Sequence, residues 1–207
     1  MAPSESALAL VQRESWGEYR NRPLDFANRL DTNFKQHETE LQGRWVLTGK
    51  STLDGKVAWQ KREHENFPER DFSGAVGMLR YLWLPTAKLE VAAQAGREMI
   101  SFQETNPAYP SSYIVSRYAS LAPAWQITEK TSVRLRFLVA KRQYEGAIVP
   151  TPIQREDRVK SAQLGATWRL SRSLDVNGTL THERRTSNID SLDYKDNVAM
   201  LSLALRF

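Results

Sequence analysis

Arginines sit at alternate positions of several segments, and that spacing is where chemistry could reside. In VRLRFLVAKR (133–142), Arg134, Arg136 and Arg142 share one parity, while Val133, Leu135, Phe137 and Val139 share the other. The same parity, counted from nearby tryptophans, collects Arg44, Arg62, Arg80, Arg169 and Arg206. A row of guanidinium forks in a narrow, partly dehydrated space would attract carboxylate- or phosphate-bearing solutes and pair with them bidentately. Glu40, Glu90, Glu98, Asp175 and Glu183 fall on that parity too, so internal charge neutralisation is the competing reading.

Other reactive types are sparse. The histidines are His37, His64 and His182, and His182 with Ser187 or Asn188 could be drawn as a hydrolase pair. Ordinary polarity at a strand end explains them better, because no H-E-x-x-H, G-x-S-x-G or P-loop motif is present. Asp190, Asp193 and Asp196 could chelate calcium, but their spacing is not that of an EF-hand. The chain has no cysteine, which excludes a disulfide framework and a thiolate nucleophile. No catalytic residue, metal site or cofactor is therefore assigned.

The elements that must carry the arginines are strands. In AQLGATWRL (162–170), Ala162, Leu164, Ala166, Trp168 and Leu170 share a face against Gln163, Gly165, Thr167 and Arg169. LDVNGTLTHE (174–183) alternates in the same way, and period 2 marks a strand with one apolar and one polar side. The pattern predicts strands over 36–48, 55–65, 71–84, 88–102, 113–126, 132–145, 157–170, 174–187 and 194–207, with a further one near 7–19 in the less definite stretch 1–20. Most are longer than the ~5–6 residues of soluble strands and match the roughly 9–11 that a tilted strand needs to cross a bilayer.

Connections alternate in length. KSTLDG (50–55), PTAK (85–88), ITEKT (127–131) and SRS (171–173) read as tight turns; NFPER (66–70), QETNPAYPSS (103–112), GAIVPTPIQRE (146–156) and the stretch around 188–193 are longer and more polar. A soluble sandwich, the alternative, has no reason to sort its loops this way. A transmembrane barrel of the outer-membrane type has short periplasmic turns and long external loops. Trp45, Trp83, Trp125, Trp168 and Phe207 each stand just before a short turn or the chain end, with spacings of 38, 42, 43 and 39 residues. That repeat is one hairpin long and places five aromatics at one depth, as an interfacial girdle requires.

Composition agrees. Mean hydropathy is −0.55 and no run approaches the roughly 20 apolar residues of a membrane helix. Net charge is +5, which favours an anionic partner. Basic clusters such as KREH (61–64) and HERR (182–185) lack a recognition helix or stacking platform, so nucleic acid is not assigned. They fall at strand ends expected to face outward, where lipopolysaccharide phosphates are available. MAPSESALAL shows no signal-peptide pattern. At the other end, NVAMLSLALRF alternates apolar residues up to a terminal Phe207, a pattern similar to the signal read by the barrel-assembly machinery.

RDFSG (70–74), YLWLPTAK (81–88), AGRE (95–98), LAPAW (121–125), KRQYEG (141–146), and ERRTSN (183–188) followed by Asp193 and Tyr194, also carry a family resemblance. The chain resembles EpsL-type outer-membrane proteins of exopolysaccharide operons associated with exosortase/PEP-CTERM systems, over most of 19–207. Within that family it is similar to the C-terminal portion of proteins about twice its length. The resemblance implies a non-enzymatic conduit or docking barrel for exopolysaccharide, with an anionic polysaccharide and other export-operon proteins as partners. The expectation is thus a single all-β domain over 1–207: an up-and-down antiparallel transmembrane barrel of about ten strands, itself part of a larger barrel if further strands join it. Its expected location is the bacterial outer membrane. A general porin and a membrane-embedded hydrolase stand as alternative functions.

Overall fold

The computed structural model describes residues 5–205 except 22, 27–28, 30, 105, 107 and 148–152; Arg206 and Phe207, the last expected lumen arginine and the fifth expected girdle aromatic, lie outside the described residues. Ten strands follow one another: β1 (Ala7–Glu18), β2 (Asn33–Thr48), β3 (Ser51–His64), β4 (Phe72–Thr86), β5 (Leu89–Glu104), β6 (Ser111–Gln126), β7 (Thr131–Glu145), β8 (Glu156–Arg169), β9 (Leu174–Ser187) and β10 (Tyr194–Leu205). Each pairs antiparallel with its sequence neighbour, giving one meander in the order β1 to β10.

The alternation puts apolar residues on the face that is not buried. Leu47, Leu79, Phe137, Val139, Leu201 and Leu203 are all exposed, whereas a water-soluble sandwich would hide this row. An apolar band pointing outward with a polar interior is the arrangement that a bilayer stabilises. The crossing elements are strands because a strand meander satisfies its backbone groups between neighbours, which hydrocarbon demands.

One turn departs from expectation. KSTLDG reads as a loop because Asp54 and Gly55 are turn formers, yet β3 resumes at Ser51 and the chain reverses over Gly49 and Lys50. Lys50 N–H donates to Thr48 Oγ1 at 3.1 Å, and the Thr48 and Ser51 hydroxyls lie 2.7 Å apart. Asp54 is thereby placed in the ladder opposite Arg44, and Gly55 opposite Gly43. At the other end of the barrel wall, Gly146 leaves β7 with φ +71°, a conformation for which glycine is suited.

The ladder between β4 and β5 stops halfway. Its last rung on the external side is Gly77 with Arg97, although β4 keeps its β3 rungs as far as Phe72 and β5 keeps its β6 rungs as far as Glu104. Above this split, Tyr113, which has outward parity, packs edge-on at 5.3 Å against inward-parity Phe72. Arg62 donates to the Ser101 hydroxyl, and the Arg97 guanidinium donates to the carbonyl of Ala75. The upper parts of β5 and β6 therefore lie against the inner side of β3 and β4. A Cβ on Gly77 would stand 2.6 Å from Lys56 O, and one on Gly96 would stand 2.8 Å from Gly77 O. The two glycines allow the backbones to approach at the point where they part.

Candidate functional site

Strand register sorts the arginines. Arg44 lies opposite Asp54, Arg62 opposite Phe72, Arg80 opposite Gln94, Arg134 opposite Gly165, Arg136 opposite Gln163, Arg142 opposite Asp157 and Arg169 opposite Asp175. All seven share the face opposite the tryptophans. Their surroundings divide them into two groups.

Three are engaged. Arg44 Nε is 3.9 Å from Asp54 Oδ1, and Arg169 Nε is 3.7 Å from Asp175 Oδ1. Arg62 uses Nε and Nη2 on Gln36 Oε1, at 3.0 and 2.6 Å, and stacks over the Phe34 ring. Elsewhere on this face Glu40 is buried and is matched by Lys56 Nζ at 3.4 Å. Neutralisation thus accounts for part of the pattern.

Arg80, Arg134, Arg136 and Arg142 have no carboxylate within ion-pair distance among the described residues. Three of these stand on β7, beside the uncharged inner face of β6, which carries Ser116, Tyr118, Ser120, Ala122 and Ala124. Glu90 and Glu98 on β5 share rows with Arg134 and Arg142, but β6 lies between them. With strands ~4.8 Å apart, that separation is roughly 10 Å, beyond direct pairing. The result is a positive stripe with neutral neighbours around Arg134 and Arg136, while Arg142 at its external end stands opposite Asp157.

At the external end of the stripe is a buried polar cluster. Arg155 grips Asp157 with two bonds, Nε to Oδ1 at 3.2 Å and Nη2 to Oδ2 at 2.7 Å. Tyr144 Oη donates to Asp157 Oδ2 at 2.8 Å, and Arg185 Nε stands 3.8 Å from the same oxygen. The Arg155 guanidinium lies over the Tyr144 ring at 3.9 Å, and that of Arg185 over Tyr194 at 4.5 Å. Asp157 is fully buried and already satisfied, so neighbouring Arg142 gains no partner there, and its buried Nε has no hydrogen bond. Tyr144, Arg185 and Tyr194 stand in motifs that carry the family resemblance, but nothing in the sequence joined them to Arg155 and Asp157; only the face of the four strand residues was readable by parity, while Arg155 lies in a loop.

External loops cap this end. Buried Asp31 accepts from Thr32 N at 2.8 Å, from Asn33 N at 3.3 Å, and from Asn66 N and Nδ2 at 2.8 and 3.0 Å. Burial alone would raise its pKa, but these bonds hold it below the ordinary carboxylate value. Glu69 behaves likewise: desolvation opposes its charge, while its own backbone N–H and the Arg29 guanidinium lower its pKa. The 3-10 turn Pro68–Arg70 carries Glu69, and Phe67 just before it meets Phe26 edge-on at 5.7 Å.

On the outer face Trp45, Trp83, Trp125 and Trp168 are about half exposed. Trp83 pairs with Ser51, Trp125 with Leu89 and Trp168 with Thr131, the first residues of β3, β5 and β7, so the rings stand at the short-turn end. The Trp45 ring lies on Gly43, where an added Cβ would come within 2.5 Å of it. Trp16 and Trp59 also point outward, nearer the external end and the middle of the wall, where no turn marks them in the sequence.

The hydrolase arrangement does not assemble. His182 faces outward, where its Nδ1 lies 2.7 Å from Asn197 Oδ1, whereas Ser187 has the opposite parity beside Asp157. Among the described residues no group of three histidines or carboxylates is placed to hold a metal ion, and Asp193 Oδ1 accepts instead from Ser187 N at 2.6 Å.

No curated protein matches the chain by sequence. Among solved structures it is similar to a chain of the FpvAI–pyocin S2 complex, with TM-score 0.57 and 12% identity over 96% of this chain. The match spans only 32% of that larger chain. It is also similar to OmpT, an outer membrane protein of Vibrio cholerae in trimer form, with TM-score 0.50 and 9% identity, covering 98% of this chain and 84% of that one. These likenesses concern the fold. The family described as "Putative beta-barrel porin 2" matches residues 70–207, from the 3-10 turn before β4 to the chain end. With its lipid-facing apolar band and its antiparallel meander, the chain belongs to this family of β-barrels of the bacterial outer membrane.

Proposed function

We propose that this chain forms channel wall for an anionic glycan and takes part in exopolysaccharide export. The observation that carries the reading is the β7 stripe of Arg134, Arg136 and Arg142, inward-facing and without carboxylate partners. Guanidinium groups at fixed spacing in a confined channel hold carboxylates in succession, each weakly enough to release the next. The family resemblance in RDFSG, LAPAW and KRQYEG supports the polymer as an exopolysaccharide. Lipopolysaccharide and the barrel-assembly machinery are the further partners of this reading.

The test is ion selectivity in planar bilayers. A channel favouring anions, whose preference falls several-fold in Arg134→Glu/Arg136→Glu, is expected. A closed barrel, or one favouring cations, overturns the reading. The family description favours a second reading, a general porin without polysaccharide specificity. A deletion strain that stops secreting polymer while small-solute uptake is unchanged separates the two.

A further inference from the structure

Strand register crowds positive charge on the lipid-facing side of the external rim. Arg117 lies directly opposite Lys141, and Lys141 opposite Arg158, across β6, β7 and β8. Lys160 lies opposite Arg184, and Arg184 opposite Lys195, across β8, β9 and β10. All six share the outward parity of Trp125 and Trp168; Lys141 is half-buried and the others are exposed. Like charges directly opposite one another destabilise a sheet. Among the described residues a single carboxylate reaches any of the six: Glu156, 2.8 Å from Lys141 Nζ. Glu145, higher on β7, is taken by the Tyr113 hydroxyl.

The other half of the rim is built differently. Outward Lys61 meets Glu63 at 2.6 Å, Lys35 lies directly opposite Glu63, and His37 Nδ1 is 3.3 Å from Glu14. Charge is therefore balanced within β1 to β3 and left unbalanced on β6 to β10.

The depth of the patch is set by the tryptophans. Arg117 stands eight residues before Trp125, and Lys160 eight before Trp168. Eight residues of strand measure about 26 Å, or about 20 Å across a bilayer at a tilt of roughly 40°. The interval on the outer face is apolar, with Leu121, Phe137, Val139 and Leu164 exposed. An apolar band of about 25 Å is what a barrel presents to lipid, so the cations stand at its outer edge, at headgroup level.

We infer that this patch binds the phosphates of lipid A, the acylated glucosamine disaccharide of lipopolysaccharide; the inference rests on lipopolysaccharide as a partner in the reading above and names where it is held. The guanidinium and ammonium groups take the phosphate oxygens in charge-assisted hydrogen bonds, which relieves the crowding among them. The acyl chains lie on the apolar band below.

The test uses the folded protein in detergent and three probes: lipid A with both phosphates, lipid A with neither, and inorganic phosphate, with binding read by native mass spectrometry. Phosphorylated lipid A is expected to bind. The dephosphorylated form, and the variant Arg117→Gln/Arg158→Gln/Lys160→Gln with the phosphorylated one, should each bind at least about tenfold more weakly, the loss of one charge-assisted contact or more. Lys61→Gln, on the balanced half, should bind as the parent does. Equal affinity for the two lipid forms, or unchanged affinity in the folded triple variant, overturns the inference. Inorganic phosphate bound as tightly as lipid A overturns it too, in favour of a free-anion site. Should the triple variant lose its heat-modifiable fold, Arg117→Gln and Lys160→Gln are measured singly, and no weakening in either overturns it as well. Ion selectivity of the parent in bilayers free of lipid A tests the channel reading by itself, so failure of either reading leaves the other standing.

Discussion

Asp157→Ala should unfold the external end of the wall and at the same time make the lumen more positive. The carboxylate holds Arg155 through two hydrogen bonds and Arg185 at 3.8 Å, with Tyr144 donating to it, and its own side chain is fully buried. Removing one partner of a buried pair costs about 3–5 kcal/mol, chiefly because the opposite charge is left without compensation. With a urea dependence of roughly 2 kcal/mol per M, a loss of about 4 kcal/mol lowers the unfolding midpoint by about 2 M. The assay is urea titration of the protein refolded in vesicles, followed by tryptophan fluorescence and by heat-modifiable mobility. Arg155→Ala combined with Asp157→Ala should recover part of the loss, because the two residues are coupled. A midpoint shift below about 0.3 M, or a double variant no more stable than Asp157→Ala, would refute the assigned role of this carboxylate.

Other outcomes follow from particular contacts. Gly77→Ala should cost about 1–3 kcal/mol, since its Cβ would press on Lys56 O, whereas Gly178→Ala, with nothing within 4 Å, should be neutral in the same titration. The Asp31 carboxylate has a depressed folded-state pKa, so its contribution is present above the unfolded value and is lost as pH falls through the folded one. Protease nicking between β1 and β2 should therefore rise below about pH 4, and Asp31→Asn should show weak protection at every pH. Lipids brominated near the headgroup should quench Trp45, Trp83, Trp125 and Trp168 to similar extents in single-tryptophan variants, and Trp59 distinctly less. Unequal quenching among the four would contradict a common depth.

The wall was legible in the sequence because its information is local. Alternation in 133–142 and 162–170 fixes strand and face, and neither depends on distant partners. KSTLDG failed because turn propensity at Asp54 and Gly55 was outweighed by cross-strand pairing with Arg44 and Gly43. Parity placed Arg44 and Arg134 alike, yet only register tells that Arg44 meets an acid and Arg134 meets Gly165. The Asp157 cluster was hidden for the same reason: Arg155 comes from a loop, and Tyr144, Arg185 and Asp157 come from three strands. The half-length ladder left just a trace, in glycines at 77 and 96 that sit on different strands.

That half-length ladder divides the wall into two mechanical leaves. β1 to β4 and β5 to β10 keep rungs over nearly their whole length, broken only by irregularities at Val46–Thr48 and Ser101–Glu104 and a gap at Ala122 and Pro123, while the join between them is bonded only from Gly77 down to Thr86. Protection against amide exchange should then drop sharply at Phe72–Val76 and not within either leaf. Above the join the leaves overlap instead of meeting edge to edge, held by Phe72 on Tyr113 and by the Arg97 side chain. A change in lumen width at the cell surface would accordingly be a sliding of one leaf over the other, with Gly77 and Gly96 as the hinge and the tryptophan end unmoved.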